Sequence, residues 1–132
     1  MIHAEHADNA VLMNDLSGRV IGCALTVLNT LGAGFLEKVY ENALSIEMRA
    51  TGLAIEQQPG VSVLYHDMVV GAYFPDLLVE DMLLVELKTV KALDHTHRMQ
   101  CTNYLKATGL RLCLLLYSGT SRLEIKRVVN GL

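Results

Sequence analysis

Residues 73–88 combine side-chain types that can bind a metal ion and act on a phosphate. The stretch has the pattern of two β-strands folded back on each other, with Asp76 on the first and Glu86 and Lys88 on the second. Because strand side chains alternate between faces, Glu86 and Lys88 must share one face, and their neighbours face the core. Two unlike charges on one face of an apolar strand are costly to bury unless a metal, a partner or a reaction requires them.

The length of the loop between these strands decides whether Asp76 joins that face. If Glu80 and Asp81 alone form the loop, Asp76 faces away from Glu86. If the loop also includes Met82, Asp76 lies directly opposite Glu86. Hairpin loops of two and of three residues are both common, so the sequence allows both arrangements.

The three-residue loop would create a site with a definite chemistry. Directly opposed residues have Cβ atoms about 5 Å apart, and two carboxylates at that spacing repel each other unless a cation lies between them. Carboxylate oxygens, together with a few waters, are ligands that suit Mg²⁺ or Mn²⁺. A lysine two residues farther along would hold the attacking water or offset the negative charge that develops on a phosphate. These residues predict metal-assisted hydrolysis of a phosphodiester.

Two motifs resemble a known superfamily. Pro75 and Asp76, followed by Glu86-Leu87-Lys88, resemble the PD-(D/E)xK signature of the nuclease superfamily. Gly34-Phe-Leu-Glu37-Lys-Val-Tyr40 resembles the GxxExxY signature of one bacterial and archaeal family within it, and the resemblance extends over roughly residues 20–129. It implies a restriction-endonuclease-like fold, which is an α/β three-layer core with a mixed central β-sheet flanked by helices.

The resemblance also implies roles for the site residues. Asp76 and Glu86 would bind Mg²⁺ or Mn²⁺, with the carbonyl of Leu87 as a further ligand. Lys88 would position the water and stabilise the transition state, and Glu37 would complete or support the metal coordination. Without the resemblance, Glu37 is better explained as a first-turn acid that favours the helix dipole.

Residues farther along the chain complete the set of candidates. The spacing of Gln100 and Tyr104 is similar to the Gln-x₃-Tyr motif of RecB-like exonucleases, in which the Gln helps to line the active site. The alternative is a solvated Gln beside a half-buried Tyr. Lys91, Arg98 and Lys106 are candidates for contacts with nucleic-acid phosphates.

Hydrophobic periodicity and turn residues predict a single domain over residues 14–132, preceded by a flexible tail over residues 1–13. The first helix is expected to begin at Asn14 or Asp15, and the third to lie between an Asp94 cap and a Gly109 stop. The expected order is helix, helix, three strands, helix, and one or two strands. We place helices at residues 14–30, 36–50 and 95–108. Strands are placed at 61–65, from 68 toward Asp76, in the second half of the hairpin with Glu86 and Lys88, and at 110–117, with an edge strand or short amphipathic end at 122–129.

Composition limits the cellular context. Three scattered cysteines, an odd number, favour free thiols in a reducing cytoplasm over a disulfide scaffold. We expect no apolar run long enough to cross a membrane, no signal peptide and therefore no membrane partner.

The charge distribution is uneven. Residues 1–86 carry three basic and twelve acidic side chains, whereas residues 87–132 carry eight basic and two acidic ones. A basic C-terminal third beside an acidic pocket would suit phosphates, although a solvated surface of uneven charge is as common.

The sequence therefore predicts a metal-dependent nuclease acting on DNA. One alternative is a nucleic-acid-binding or repair-associated subunit that keeps the fold and turns over poorly. Another is an interaction protein, in the form of a homodimer that buries surplus apolar surface. Turnover separates the first alternative from a nuclease, and metal binding separates the second.

Overall fold

The computed structural model describes residues 2–90, 92–118 and 122–130, and these residues form three helices and seven strands. In chain order they are α1 (Ile2–Leu31), α2 (Glu37–Ala50), β1 (Ile55–Gln57), β2 (Val61–Tyr65), β3 (Met68–Tyr73), β4 (Leu77–Val79), β5 (Leu83–Lys88), α3 (His95–Thr108), β6 (Leu112–Tyr117) and β7 (Glu124–Val129).

The central sheet has five strands in the order β1-β4-β5-β6-β7. Strands β5 and β6 are parallel, and the other neighbouring pairs are antiparallel. Parallel strands need a crossover connection, and α3 provides it between β5 and β6. Because β5 and β6 are covered on both faces, their nearly continuous apolar sequences suit the centre of the sheet.

Side chains alternate between the two faces of the central sheet, so the core has two layers. One face of the sheet, which includes Val85 and Leu87, packs against α1 and α2. The other face, which includes Leu84 and Leu115, packs against α3. The predicted fold class, an α/β three-layer core with a mixed central sheet flanked by helices, is confirmed. By the same alternation, Glu86 lies on the α3 face of β5.

Helix α1 begins at Ile2, so the start predicted at Asn14 or Asp15 is wrong. No Gly or Pro interrupts the residues before Asn14, and Met13 packs against the core, so the helix continues through the segment for which we predicted a flexible tail. The hydroxyl of Ser17 donates a hydrogen bond to the Met13 carbonyl and adds to this continuity.

By length and composition, the segment Ala10–Leu31 of α1 could cross a membrane, which differs from the prediction that no run is long enough. A helix that packs against a protein core meets the same criterion. Leu16, Val20 and Leu28 form such a buried stripe against the sheet.

Helix α3 has the predicted ends. The Asp94 carboxylate accepts a hydrogen bond from the His97 backbone N–H, and the Asp94 N–H donates to Nδ1 of His97. This reciprocal pair caps the first turn. At the other end Gly109 has a φ of 75°, which glycine adopts without steric cost.

Two features of the strand pattern differ from the prediction. Strand β1 was not predicted, and the strand expected to run from Met68 to Asp76 ends at Tyr73. Strand β3 pairs with β2 in a separate two-stranded sheet, and Phe74 and Pro75 then lead into the central sheet. Proline has no N–H for a ladder, so the pairing stops beside Asp76.

Candidate metal and phosphate site

The β4–β5 connection determines where Asp76 lies. Val79 is opposite Leu83, so the loop has three residues, 80–82, and the second of the two arrangements that the sequence allowed is correct. Asp76 directly precedes β4 and therefore lies opposite Glu86. Glu80 has a positive φ of 54°, as tight hairpin turns require.

Across the hairpin, the side chains of Asp76 and Glu86 each accept a hydrogen bond from a backbone N–H of the opposite segment. The Asp76 N–H donates to Oε1 of Glu86 at 3.0 Å, and the Leu87 N–H donates to Oδ2 of Asp76 at 2.7 Å. Each carboxylate thus takes a place that a ladder carbonyl would otherwise fill where β4 begins. The structure brings together the two acids that the PD-(D/E)xK motif singled out.

Burial gives this pair unusual electrostatics. Glu86 is 3% exposed. Burial, followed by repulsion from Asp76, raises the pKa of Glu86 to about 7. Burial also raises the pKa of Asp76, although the hydrogen bond from Leu87 opposes the shift. Two adjacent acids with raised pKa values favour a proton or a cation between them.

Two cationic or donor groups contact Glu86 from the α3 face. The Lys88 Nζ lies 3.7 Å from Oε2 of Glu86. The Tyr104 hydroxyl donates to the same oxygen at 3.1 Å. Burial and the Glu86 carboxylate raise the pKa of Tyr104, so this hydroxyl remains a donor.

Tyr104 is more deeply placed than the sequence suggested, because it is 2% exposed rather than half-buried. Its role as a donor to Glu86 was not predicted, although its spacing from Gln100 had marked it. Gln100 is half-buried one turn earlier on α3. Among the described residues, no hydrogen-bond partner is found for its side chain, and its proposed role in the site stays a prediction.

Glu37 lies at the first turn of α2, beside the end of β5. Its Oε1 accepts hydrogen bonds from the N–H of Thr89 at 3.1 Å and from the Thr89 hydroxyl at 3.4 Å. Glu37 and Asp76 line the same open cavity of about 500 Å³. The structure therefore places Glu37 at the edge of the site, where it anchors the residue that follows Lys88.

The local sequence explains how Glu37 is positioned. Gly34 has a φ of 106°, a conformation that favours glycine, in the short connection between α1 and α2. The Tyr40 hydroxyl donates to the Gly32 carbonyl at 2.5 Å and accepts from the Phe35 N–H at 3.2 Å. Gly34 and Tyr40 thus fix the connection, and Glu37 begins the helix that follows.

Glu41 belongs to the site and was not predicted. It is 3% exposed and lines the same cavity as Glu37 and Asp76. Nε2 of Gln58 lies 2.8 Å from Oε1 of Glu41 and 3.3 Å from Oδ1 of Asp76, so this amide links α2 to the acid pair. Burial alone would raise the pKa of Glu41, but hydrogen bonds led by that from Lys38 lower it overall.

A signal for Glu41 was present in the sequence. An acid at a position on the apolar stripe of α2, one turn after Glu37, must be buried and therefore needs partners. These partners are the side-chain amides of Gln57 and Gln58, which both donate to Glu41.

The donor set is compatible with a hard divalent cation. Among the residues that the structure describes, no three His, Cys, Asp or Glu side chains cluster closely enough to hold a metal by themselves. Mg²⁺ needs fewer protein ligands, because it commonly keeps several waters and uses one or two carboxylates. Asp76 and Glu86 supply these. The N–H and C=O of a strand residue point to the same neighbour, so the Leu87 carbonyl faces the same gap.

The basic candidates lie on α3 or outside the described residues. Arg98 and Lys106 are exposed on α3, and Lys106 lines a groove of about 490 Å³ against the β2–β3 hairpin. Lys91 lies outside the residues that the structure describes.

Comparisons with known proteins agree with this architecture. The model of the PD-(D/E)XK nuclease superfamily matches residues 14–128, which include every candidate acid of the site. No match to a curated protein is significant.

Two solved structures are similar to the chain at low identity. The protein of the crystal structure of SSO0001 is 15% identical, with a TM-score of 0.54 over 72% of this chain and 50% of that one. An alkaline exonuclease (LHK-Exo) from Laribacter hongkongensis is 15% identical, with a TM-score of 0.44 over 70% of this chain and 55% of that one. The chain thus spans about half the length of these two structures, and the first of them shows a shared fold.

Proposed function

Because this chain belongs to the PD-(D/E)XK nuclease superfamily, we propose that it is a metal-dependent nuclease that hydrolyses phosphodiester bonds in DNA. The observation that carries the proposal is the pairing of Asp76 and Glu86 across the β4–β5 hairpin, with the Lys88 ammonium 3.7 Å from Glu86. We further propose that the chain belongs to the GxxExxY family, on the basis of Gly34, Glu37 and Tyr40.

In this proposal each residue of the site has a separate task. Asp76, Glu86 and the Leu87 carbonyl would hold Mg²⁺ or Mn²⁺, and the bound ion would lower the pKa of water and offset charge on the phosphate. The Lys88 ammonium donates to the attacking water and to the phosphoryl oxygens as their charge grows. Water adds to phosphorus and one P–O ester bond breaks, leaving a phosphate monoester and a hydroxyl.

Residues around the pair keep this geometry. The Tyr104 hydroxyl fixes one oxygen of Glu86, so the other remains directed toward Asp76. Glu37 supports the metal coordination from the cavity and holds Thr89, which follows Lys88. Arg98 and Lys106 contact phosphates of the substrate, Lys91 is a further candidate for such a contact, and Gln100 lines the site.

Cleavage assays test this proposal. Wild-type protein is incubated with single-stranded, duplex and branched DNA in Mg²⁺, Mn²⁺ or EDTA, beside the variants Asp76→Ala and Lys88→Ala. We expect cutting that requires the metal and falls by about a hundredfold or more in each variant, as loss of a charge-stabilising group commonly causes. Asp15→Ala and Arg49→Ala are matched controls, because Asp15 is exposed on α1 and Arg49 is exposed in the last turn of α2, at the opposite end from Glu37.

The nuclease proposal is contradicted if pure, folded and metal-loaded protein cuts none of these substrates. Such a result would favour the binding-subunit alternative. One observation supports that alternative: within the described part of the chain, the metal-binding side chains form a pair and not a cluster of three. Retained DNA binding without turnover would establish it.

A further inference from the structure

A groove separates the β2–β3 hairpin from α3, the helix that covers the Glu86 face of the sheet. Its volume is about 490 Å³. Leu64 and Tyr73 line it from the hairpin, and Asn103 and Lys106 line it from the helix. Both walls are regular secondary structure, so the groove is a fixed feature of the fold.

Two aromatic rings connect the wall of the groove with the acid pair. The ring of Tyr73 contacts that of Tyr104 edge to face, with centroids 5.7 Å apart. The Tyr104 hydroxyl in turn donates to Glu86. The chain also connects the groove with the site, because only Phe74 and Pro75 separate Tyr73 from Asp76.

The groove and the cavity at α2 differ in charge. Among the residues lining the groove, all of them described, Lys106 alone is charged. The opening at α2 is lined by Glu37, Glu41 and Asp76, with Lys38 as its one cation among the residues described there. Phosphates are repelled by three carboxylates, so a nucleic acid is favoured in the groove rather than at the α2 opening.

We propose that the groove binds a single strand of nucleic acid and directs it to Asp76 and Glu86. Tyr73 is 40% exposed, which leaves ring surface on which an unpaired base can stack, and Lys106 contacts a phosphate. A base inside a duplex cannot stack on a side chain. The proposal extends the proposed nuclease function and rests on it for the direction of the strand.

Binding measurements test the groove separately from catalysis. Fluorescence anisotropy of a labelled oligothymidylate is followed in EDTA, where metal-dependent cutting does not occur, over a series of salt concentrations. We expect Tyr73→Leu to weaken binding about tenfold, because it removes the stacking ring and keeps an apolar side chain. Lys106→Gln is expected to lower the slope of log K against log salt by about 0.7, the value for one phosphate contact on a single strand.

Three controls exclude a general loss of structure. Tyr73→Phe keeps the ring and should bind as the wild type does. Tyr65→Leu removes an exposed ring at the turn end of the same hairpin, outside the groove, and Lys126→Gln removes an exposed charge from β7. Both should leave affinity for the single strand unchanged, and a duplex of equal length should bind more weakly.

The groove proposal is overturned if Tyr73→Leu and Lys106→Gln bind like their controls, or if duplex binds as tightly as single strand. If the wild type cuts DNA and the two groove variants bind single strands as it does, the groove proposal is rejected and the nuclease proposal stands. Groove-dependent binding by a protein that never cuts would reject the nuclease proposal and leave the groove standing.

Discussion

Glu86 is the residue at which fold and proposed chemistry compete. A carboxylate in the buried centre of a sheet has lost most of its water, and Asp76 adds a second negative charge beside it. Both effects raise the pKa of Glu86, to about 7. The folded protein therefore binds a proton that the unfolded chain releases at lower pH.

This difference predicts the pH dependence of stability without metal. Because the folded pKa is above the unfolded value, the contribution of Glu86 is fully present below 4.5, the ordinary pKa of a glutamate, and is lost as the pH rises through about 7. Glu86→Gln should remove the loss and raise the free energy of unfolding at pH 8 by at most about 3.5 kcal/mol, because the shift from 4.5 to about 7 is worth about 1.4 kcal/mol per pKa unit. Urea unfolding in EDTA at pH 5 and pH 8 measures it.

Glu124→Gln is the matched control, because this glutamate is exposed on β7 and should change stability little at either pH. If the free energy of unfolding falls by the same amount between pH 5 and pH 8 in Glu86→Gln and in the wild type, Glu86 is not the source of the pH dependence.

Also at the residue scale, the sequence was enough to single out Asp76 and Glu86, but not Glu41, as acids of the site. Alternation along β5 is enough to place Glu86 and Lys88 on one face. No periodicity shows which part of the α2 stripe meets the gap before β4, because that depends on how the helix packs against the sheet. Glu41 and its amide partners therefore became visible only in three dimensions.

At the scale of single elements, glycines with opposite backbone conformations give a paired prediction. Gly109 ends α3 with a φ of 75°, whereas Gly22 is exposed inside α1, and an added Cβ at either position meets nothing within 4 Å. Both positions have room for a methyl group, so the backbone conformation decides whether alanine stabilises or destabilises the protein. Gly109→Ala should destabilise the protein by about 1 kcal/mol, and Gly22→Ala should stabilise it by about 0.5–1 kcal/mol.

Thermal or urea unfolding of the two single variants measures both effects under the same conditions. Destabilisation by both substitutions to a similar extent would show that a factor other than backbone conformation controls these positions.

The lengths of the helices and strands explain which of them could be predicted from the sequence. Helices α2 and α3 are long enough to show period and caps, and they lie within one residue of their predicted ranges. Strands β1 and β4 have three residues each, which is too short for a period of two to appear. The loop length stayed open because an apolar Met82 suits either a strand or a loop. In the structure Met82 is half-buried and packs against the core from within the loop.

At the scale of the whole molecule, the proposed metal should act as a stabilising ligand. A cation that binds only the folded state at about ten times its Kd adds about 1.4 kcal/mol to the free energy of unfolding. Mg²⁺ should therefore raise the Tm of the wild type by a few degrees relative to NaCl of equal ionic strength. The increase should be larger at pH 8 than at pH 6, because a protonated Glu86 is a poor ligand.

Differential scanning fluorimetry measures this shift, with Asp76→Asn as the variant that loses a ligand and keeps the side-chain size. An Mg²⁺-dependent shift of equal size in Asp76→Asn and wild type would place the cation elsewhere on the molecule. A shift in the wild type alone would locate it at the hairpin.

Because of the hydrogen bonds across this hairpin, hydrogen exchange at two backbone amides reports on the site. In a regular ladder, an amide that donates to a neighbouring carbonyl exchanges with deuterium when the strands separate. The amides of Asp76 and Leu87 donate instead to side-chain carboxylates. Their exchange rates therefore follow the protonation and ligation of those carboxylates, and two peaks in a spectrum of the resting protein report the state of the site.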